Sequence, residues 1–360
     1  MAVSPDDVRP EGLGLRLGRL LLTAAVALGG AGAAQALHLP LPWFTGPLLA
    51  VAIVNMAGLR LVPLPHARDA GQWIIGTVLG LYFTPDVVRE VARLAPWIAV
   101  TTLFMVGLGL AGAWLLRRLT GESGTTCFFA MAIGGASEMA AQAERYAARV
   151  DRVAAAHSLR IMLVALAVPF AMQWAGAQGA APYEPAAAEF SLPGFAVLVA
   201  VTGAGAVVLL RFGAPNVFMI GPLLAAAALT AGGINLSVLP APVSNAGQWL
   251  IGIALGVRFT PEFFRAAPRY LAAVALVTLL YLGASALFGA LAAGPAGLAT
   301  ATAVLATTPG GIGEMAITAK VLKLGAPIVT AFHSIRMVLV VLTIGPLYRG
   351  LRALRARRRN

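Results

Sequence analysis

The segment Gly134-Gly135-Ala136-Ser137-Glu138-Met139 returns further along the chain as Gly310-Gly311-Ile312-Gly313-Glu314-Met315. The offset is 176 residues (310 minus 134), and four other motifs return in the same order at this offset or one residue less. They are Gly46-Pro47-Leu48-Leu49-Ala50 with Gly221-Pro222-Leu223-Leu224-Ala225, Ala70-Gly71-Gln72-Trp73 with Ala246-Gly247-Gln248-Trp249, Phe83-Thr84-Pro85 with Phe259-Thr260-Pro261, and His157-Ser158-Leu159-Arg160 with His333-Ser334-Ile335-Arg336. Self-similarity at a fixed period predicts a tandem duplication. We divide the chain into a first repeat (1–175), a linker (176–193) and a second repeat (194–360).

The composition places the repeats in a membrane. Of 360 residues, 59% are hydrophobic and 11% are charged, whereas soluble domains carry about 25% charged residues. Stretches such as Trp97–Leu116 and Ile161–Trp174 hold no charge, and a spanning helix needs about 20 apolar residues. The sequence therefore predicts an all-α polytopic membrane protein. A soluble enzyme, a secreted disulfide scaffold and a disordered regulator are excluded.

Each repeat contains six apolar segments of unequal length. They cover residues 17–37, 43–59, 71–82, 97–116, 125–148 and 153–174 in the first repeat, and 195–210, 217–233, 247–257, 270–291, 298–322 and 327–348 in the second. The segment 71–82 is too short to cross alone and ends at Thr-Pro, which disfavours helix. Five crossings per repeat would invert the second repeat relative to the first, and six would keep the two parallel.

The charge distribution favours the inverted arrangement. Basic residues outnumber acidic ones by 26 to 14 and are densest in the tail, which indicates a cytoplasmic terminus rather than a nucleic-acid-binding segment. Five crossings place these residues in the cytoplasm: Arg60, Arg68, Arg89, Arg93, Arg149, Arg152 and Arg211. The same five-crossing model puts these basic residues on the non-cytoplasmic side: Arg117, Arg118, Arg258, Arg265, Arg269, Lys320 and Lys323. We predict a bacterial inner-membrane protein with both termini in the cytoplasm. The first apolar run resembles a signal peptide, but its counterpart in the second repeat favours an uncleaved span.

Two glycine-rich interruptions are predicted to break a helix in each repeat. They are Gly134-Gly135 and Pro309-Gly310-Gly311, each within an apolar segment. Broken helices are tolerated in membranes where the freed backbone groups line a cavity or are buried in protein. Secondary transporters place substrate and ion sites at such breaks. A matching pair of breaks, each followed by a glutamate, therefore favours a binding site.

Charged and polar side chains near the breaks are the candidate site residues. A carboxylate within a span is costly and usually functional, so Glu138 and Glu314 are candidates for binding an ion or a proton. The alternative is a structural glutamate neutralised by Arg160 or Arg336. Residues three apart share a helix face; the candidates on the two later helices are His157 with Arg160 and His333 with Arg336. Each histidine could titrate near neutral pH or simply be a hydrogen-bonded packing residue.

Uncharged polar residues recur at equivalent positions. Gln72 and Gln248, with Thr84 and Thr260, could contact a polar substrate, although hydrogen bonding between helices is favoured for them. The single cysteine, Cys127, lies in an apolar run. We predict no catalytic residue, metal site or cofactor.

The duplicated Gly-Pro-Leu-Leu, Ala-Gly-Gln-Trp, Phe-Thr-Pro and Gly-Gly-x-x-Glu-Met motifs cover almost all of residues 43–348. With them the chain resembles the AbrB-type duplicated membrane protein family, whose members carry the labels ammonia monooxygenase or AbrB-family transcriptional regulator. The family is similar to the cation/proton antiporter and anion transporter superfamily. This resemblance implies inverted repeats and a transporter-like core built from the last three helices of each repeat.

The residues argue against both labels. A copper or iron oxygenase needs clustered histidine and carboxylate ligands, and the chain has four scattered histidines. A transcription factor needs an element that enters a DNA groove, and no polar segment is long enough. We predict a secondary-transporter-like protein that moves a small, anionic solute by alternating access with protons as a candidate coupling ion. The alternatives are a membrane-embedded regulatory protein that acts on gene expression indirectly and, less favoured, the metalloenzyme. The predicted partners are the lipid bilayer, the solute and protons, with no nucleic acid; a homo-oligomer is compatible with this class.

Overall fold

The computed structural model describes residues 13–179 and 189–357, and this part of the chain is helical without strands. The helices of the first repeat are α1 (Leu13–Ala36), α2 (Pro42–Met56), α3 (Ala67–Gly80), α4 (Pro85–Arg93), α5 (Ala95–Thr120), α6 (Gly124–Met131), α7 (Ala136–Arg145) and α8 (Val150–Trp174). Residues 180–188 of the predicted linker and the last residues of the basic tail, Arg358 and Arg359, lie outside the described residues.

The second repeat gives the same series of helices. They are α9 (Leu192–Arg211), α10 (Val217–Ala231), α11 (Ala241–Gly256), α12 (Pro261–Arg265), α13 (Pro268–Ala296), α14 (Thr300–Thr307), α15 (Ile312–Val321) and α16 (Ala326–Arg357). The predicted apolar segments are thus confirmed as helices, and the interrupted segments are confirmed as broken ones. The inverted relation between the repeats stays a prediction.

The composition-based prediction of a membrane fold is confirmed. Among the described residues, six helices are long and apolar enough to cross a membrane, namely α1, α5, α8, α9, α13 and α16. The helices α2 and α10 are apolar but shorter. This set supports a multi-pass membrane protein.

The sequence analysis missed the short helices α4 and α12, because it treated Thr-Pro only as a helix stop. The Thr84 hydroxyl accepts a hydrogen bond from the Val87 amide, and the Thr260 hydroxyl accepts one from the Phe263 amide. Threonine is a favoured N-cap, and proline is favoured at the first helical position. Each Thr-Pro pair therefore begins a short helix, and the hydroxyl of each threonine caps it.

The first three helices of each repeat form one unit, which we call the scaffold (α1–α3 and α9–α11). Within it α3 packs against α10 and α11, and α2 packs against α11. Glycines permit this contact: Gly76 faces the Met219 carbonyl, and Gly252 faces the Phe44 carbonyl. Small residues let membrane helices approach this closely. The scaffold therefore interlocks the two repeats.

The remaining long helices and the broken helices form a second unit, the core (α5–α8 and α13–α16). In the first repeat, α6 and α8 run side by side in the same direction: the Arg149 amide donates to the Thr126 hydroxyl, and the Arg160 guanidinium donates to the Ala132 carbonyl. The start of α8 lies beside the start of α6. The chain must therefore run back along α7, from the end of α6 to the side of the molecule on which α6 begins. In the second repeat, contacts from Thr302 to Leu324 and from Arg336 to Thr308 give the same arrangement.

These contacts correct one expectation about the interrupted segments. We expected each to cross the membrane as a broken helix; instead α6–α7 and α14–α15 each fold back as a re-entrant hairpin. Two residues of the break, Gly134 and Gly135, let the chain reverse without a regular turn of helix. The tip of each hairpin therefore lies inside the molecule.

Candidate functional site

A cavity of about 310 Å³ lies between the scaffold and the tips of both hairpins. Most of the predicted site residues line it: Gln72, Gly134, Gly135, Glu138, Arg160, Pro309, Gly310, Gly311, Glu314, His333 and Arg336. His157 and Gln248 are buried and are not among the lining residues. The fold thus brings the two breaks together, although they are 176 residues apart in sequence.

The guanidinium of Arg160 closes the carbonyl end of α6. Its Nη1 donates to the Ala132 carbonyl at 3.1 Å, and its Nη2 donates to His157 Nδ1 at 2.9 Å. Arg160 is 3% exposed, and its Nε has no hydrogen-bond partner among the described residues. The last carbonyls of a helix carry partial negative charge and lack partners within the helix. Arg160 supplies both the charge and the donors.

Arg336 does the same for α14. Its Nη1 donates to the Thr308 carbonyl at 2.9 Å, and its Nη2 lies 3.0 Å from both the Gly310 carbonyl and His333 Nδ1. Arg336 is also buried. The planar guanidinium suits this set of acceptors, because it holds donors on two separate terminal nitrogens in a fixed geometry.

The two histidines position the arginines. His157 Nε2 lies 2.9 Å from the Phe129 carbonyl, and His333 Nε2 lies 2.9 Å from the Leu305 carbonyl. A carbonyl only accepts, so each Nε2 carries the proton and each Nδ1 accepts from its arginine. Both rings are neutral in this arrangement. Their hydrogen bonds hold Arg160 and Arg336 in these orientations.

Replacing His333 by asparagine tests this positioning role. The shorter side chain cannot reach the Leu305 carbonyl and Arg336 together, and unsatisfied buried groups cost about 1–3 kcal/mol each. We expect the purified protein to melt several degrees lower. His66→Asn is the control, because His66 is exposed and its left-handed backbone conformation tolerates asparagine. It should melt as the parent does. An unchanged melting temperature for His333→Asn would contradict the role.

Each arginine bonds to the carbonyl end of a break, and a glutamate lies at the amide end of the same break. Glu138 and Glu314 lie in the first turns of α7 and α15, where helix amides favour negative charge. Each side chain folds back toward its helix start, so that a Cβ added at Gly135 or Gly311 would collide with the Oε2 of the glutamate. A larger residue at Gly135 or Gly311 would therefore displace the carboxylate from this position.

The structural alternative, in which Arg160 or Arg336 neutralises these glutamates, is not seen as an ion pair among the described residues. Within residues 13–179 and 189–357, the acidic partners of ion pairs are other residues, such as Glu90 with Arg93 and Glu122 with Arg149. A break exposes a carbonyl end and an amide end, and each end takes a side chain of opposite charge. Arginine and glutamate are therefore separated by the backbone that they neutralise.

Several lining residues escaped the sequence analysis. They are Arg68, Asp69, Ser137, Asn216 and Arg258. Arg68 and Gln72 are four residues apart on α3 and therefore share a helix face. This spacing could have identified Arg68 as a site residue. Asn216 has φ 51° at the start of α10, and nothing in the sequence singled it out.

The charged lining has a surplus of one positive charge. Four arginines face three carboxylates: Arg68, Arg160, Arg258 and Arg336 against Asp69, Glu138 and Glu314. Because the positive charges outnumber the negative ones, the lining favours a negatively charged ligand. The arrangement can bind a small anion.

Comparisons with known proteins place the chain in one family. The family model described as "Transition state regulatory protein AbrB" matches residues 43–352. The "Putative regulator AbrB" of Escherichia coli (strain K12) is 29% identical, with 86% of this chain and 90% of that protein aligned. The "Uncharacterized protein YhjN" of Bacillus subtilis (strain 168) is 24% identical, with 88% and 89% aligned. Among the residues that the structure describes, no group of three or more His, Cys, Asp or Glu could hold a metal ion.

Proposed function

The chain belongs to the AbrB family, and from this premise we propose that it is a membrane transport protein for a small organic anion. The anion binds in the cavity between scaffold and core and crosses by alternating access. Any effect on gene expression, as the name of one relative suggests for that protein, would follow indirectly from the movement of the solute.

The observation that carries this proposal is the pair of buried arginines, Arg160 and Arg336, that line the cavity. Burying a charge without a partner of opposite charge is costly, and the guanidinium hydrogen bonds described above go to neutral acceptors, namely carbonyl oxygens and histidine nitrogens. A carboxylate or another oxyanion is the natural acceptor for such a guanidinium. Arg336 lines the same cavity, so that an anion between the two arginines would meet both.

The hairpins also support an orientation in the membrane. With both hairpins re-entrant and α3 and α11 crossing instead, each repeat has five crossings. One end of the molecule then carries Arg60, Arg68, Arg117, Arg118, Arg149, Arg152, Arg211, Arg258, Arg265 and Arg269. The opposite end carries Arg89, Arg93, Lys320 and Lys323. Basic residues favour the cytoplasmic side, so we infer that the cavity, which contains Arg68 and Arg258, opens toward the cytoplasm.

The route to the opposite side is closed by contacts at repeat-equivalent positions. Gln72 lines the cavity, whereas its equivalent Gln248 is buried outside it. Ser244, the equivalent of Arg68, accepts a hydrogen bond from Lys320 at 3.1 Å, which joins α11 of the scaffold to α15 of the core. If Gln248 came to line the cavity and Gln72 became buried, the cavity would open to the other side.

Cysteine labelling tests this exchange. Cys127 is buried and is the chain's single cysteine, so a Cys127→Ser background leaves one thiol per variant. We expect Gln72→Cys to react quickly with a membrane-impermeant maleimide and Gln248→Cys to react slowly. A transported anion should speed labelling at Gln248→Cys and slow it at Gln72→Cys. Equal rates at the two positions, unaffected by the anion, would contradict alternating access.

Transport itself is tested in two steps. Small mono- and dicarboxylates are first screened for thermal stabilisation of the purified protein, because a ligand that binds only the folded state raises the melting temperature. The stabilising anions are then assayed for flux into proteoliposomes. Binding without flux would favour a membrane-embedded sensor, and the absence of both would overturn the proposal.

A further inference from the structure

A second cavity lies at the end of the molecule that carries Arg60, apart from the cavity between scaffold and core. Its volume is about 280 Å³, and the two cavities share no lining residue. Three elements form its walls: α1 contributes Arg19, the loop after α2 contributes Gly58 and residues 60–62, and the start of α12 contributes Glu262. The cavity therefore lies between the scaffold and the short helix that leads into α13 of the core.

Buried polar side chains hold the loop of this cavity in place. The Asn55 amide nitrogen donates to the Val257 carbonyl at 3.2 Å, and the Asn55 amide oxygen accepts from the Leu61 amide at 2.8 Å. The Val62 amide donates to the Thr23 hydroxyl at 3.2 Å. Both Asn55 and Thr23 are buried. Because these bonds tie the loop to α1 and to the end of α11, the cavity is a preformed feature of the fold.

The cavity is lined by charges of both signs. Arg19 and Arg60 are its basic residues, and Glu262 is its acidic one. Arg60 Nη2 lies 3.9 Å from Glu262 Oε1, and the two side chains are 80% and 66% exposed. Ion pairs this exposed contribute little to stability, so both groups are available to a ligand that offers each of them a partner. Such a ligand carries an anionic group and a cationic group close together.

The two arginines distinguish this cavity from the equivalent place in the other repeat. The repeat equivalent of Arg19 is Gly194. That of Arg60 is Asn235 or Leu236, according to where the one-residue shift in the offset falls. None of these equivalents is charged. The basic lining therefore belongs to one end of the molecule and is not required by the repeated fold.

Exposed apolar side chains adjoin the cavity. Leu22 is three residues from Arg19 and therefore shares its face of α1, and Met56 and Leu59 lie at the end of α2; all three are exposed. The apolar span of α1 begins at Arg16, so Arg19 lies about one turn inside the end of that span. The charged cavity thus lies where lipid headgroups meet acyl chains, and it suits a ligand with a charged head and an apolar tail.

We propose that this cavity binds the headgroup of a zwitterionic phospholipid of the phosphatidylethanolamine type. The phosphodiester accepts hydrogen bonds from Arg19 and Arg60, which suit phosphate oxygens, and the primary ammonium donates to the Glu262 carboxylate. Basic residues alone would attract anionic lipids. A headgroup without an ammonium, however, would leave the Glu262 carboxylate beside a phosphate of like charge. This inference is independent of the proposed transport function.

Thermal stabilisation of the purified full-length protein tests the preference. The probes are dioleoyl phosphatidylethanolamine, phosphatidylcholine and phosphatidylglycerol, which share acyl chains and differ in headgroup. A ligand that binds only the folded state raises the melting temperature. We expect phosphatidylethanolamine to raise it by several degrees more than phosphatidylcholine, whose methylated ammonium has no N–H to donate, or phosphatidylglycerol, which has no ammonium.

Single substitutions assign the two halves of the headgroup. Glu262→Gln should remove the advantage of phosphatidylethanolamine over phosphatidylcholine, whereas Arg60→Gln should weaken stabilisation by both, because both contain the phosphodiester. Both positions are exposed, so neither variant should unfold. Asp86→Asn is the matched control: Asp86 is the repeat equivalent of Glu262, is exposed and pairs with Arg89 on its own helix. It should keep the lipid preference of the parent.

A soluble headgroup distinguishes the source of the ligand. Glycerophosphoethanolamine has the same charges without acyl chains, so we expect it to stabilise the protein far less than the lipid does. Equal stabilisation by the two would overturn the assignment to a lipid. Equal stabilisation by phosphatidylethanolamine and phosphatidylglycerol, or a preference that survives in Glu262→Gln, would overturn the proposed pairing of Glu262 with the ammonium. These results do not depend on whether the protein transports an anion.

Discussion

Arg336→Lys is expected to weaken anion binding at least about 100-fold and to abolish flux. The substitution keeps the positive charge but replaces a planar fork by a single ammonium group. Lysine cannot bond to the Thr308 carbonyl, the Gly310 carbonyl and His333 Nδ1 together, as Arg336 does. These bonds fix the guanidinium at the cavity. One hydrogen bond from a charged donor to the anion is worth about 1.5–3 kcal/mol, and every 1.4 kcal/mol is about tenfold in affinity.

The measurement is an anion titration followed by proteoliposome flux. Arg118→Lys, an exposed arginine near the end of α5, is the control and should match the parent in both. If Arg336→Lys folds and transports normally, then charge alone suffices at this position, and the anion site is not built around the guanidinium. A melting curve for each variant separates loss of binding from loss of fold.

Gly76→Ala is expected to destabilise the protein strongly. The new Cβ would collide with the Met219 carbonyl, where α3 crosses α10. Both partners at this crossing are backbone, so neither can yield by a change of rotamer. Overpacking in a dense interior costs about 1–3 kcal/mol. Since this crossing joins the repeats, we expect the upper part of that range and a large loss of folded, monodisperse protein.

Gly107→Ala on α5 provides the matched control, because an added Cβ there meets nothing within 4 Å. Alanine is the better helix former, so this variant should be as stable as the parent or slightly more stable. The comparison uses thermal melting and size-exclusion profiles in the same detergent. Equal stability of the two variants would show that the α3–α10 crossing is looser than the structure indicates.

Much of the fold could be predicted from the repeat and the apolar segments. The motif Gly134-Gly135 with Glu138 correctly marked a break, and the His157/Arg160 spacing correctly placed two side chains on one helix face. These features are local, since they depend on residues within one or two turns of each other. Local patterns also located the two sets of side chains that share the cavity.

Features set by the path of the chain could not be predicted in the same way. A glycine pair breaks a helix, but it does not reveal whether the chain continues across the membrane or folds back. That choice decided the partners of Arg160 and Glu138: the reversal leaves a carbonyl end and an amide end at the tip of the hairpin, and each residue serves one of them. Arg258 was missed because only the crossing of α11 with α2 and α3 brings it to the cavity.

The interlocked scaffold has a consequence for how the protein is made. Gly76 on α3 packs against the Met219 carbonyl, which the ribosome adds 143 residues later (219 minus 76). At about 5–20 residues per second, the growing chain waits on the order of 10 s for this partner to emerge. During that interval, the helices of the first repeat lack the second-repeat helices that pack against their glycines. Each newly synthesised molecule thus passes through a half-assembled stage, and the second repeat acts as the template on which the first completes its packing.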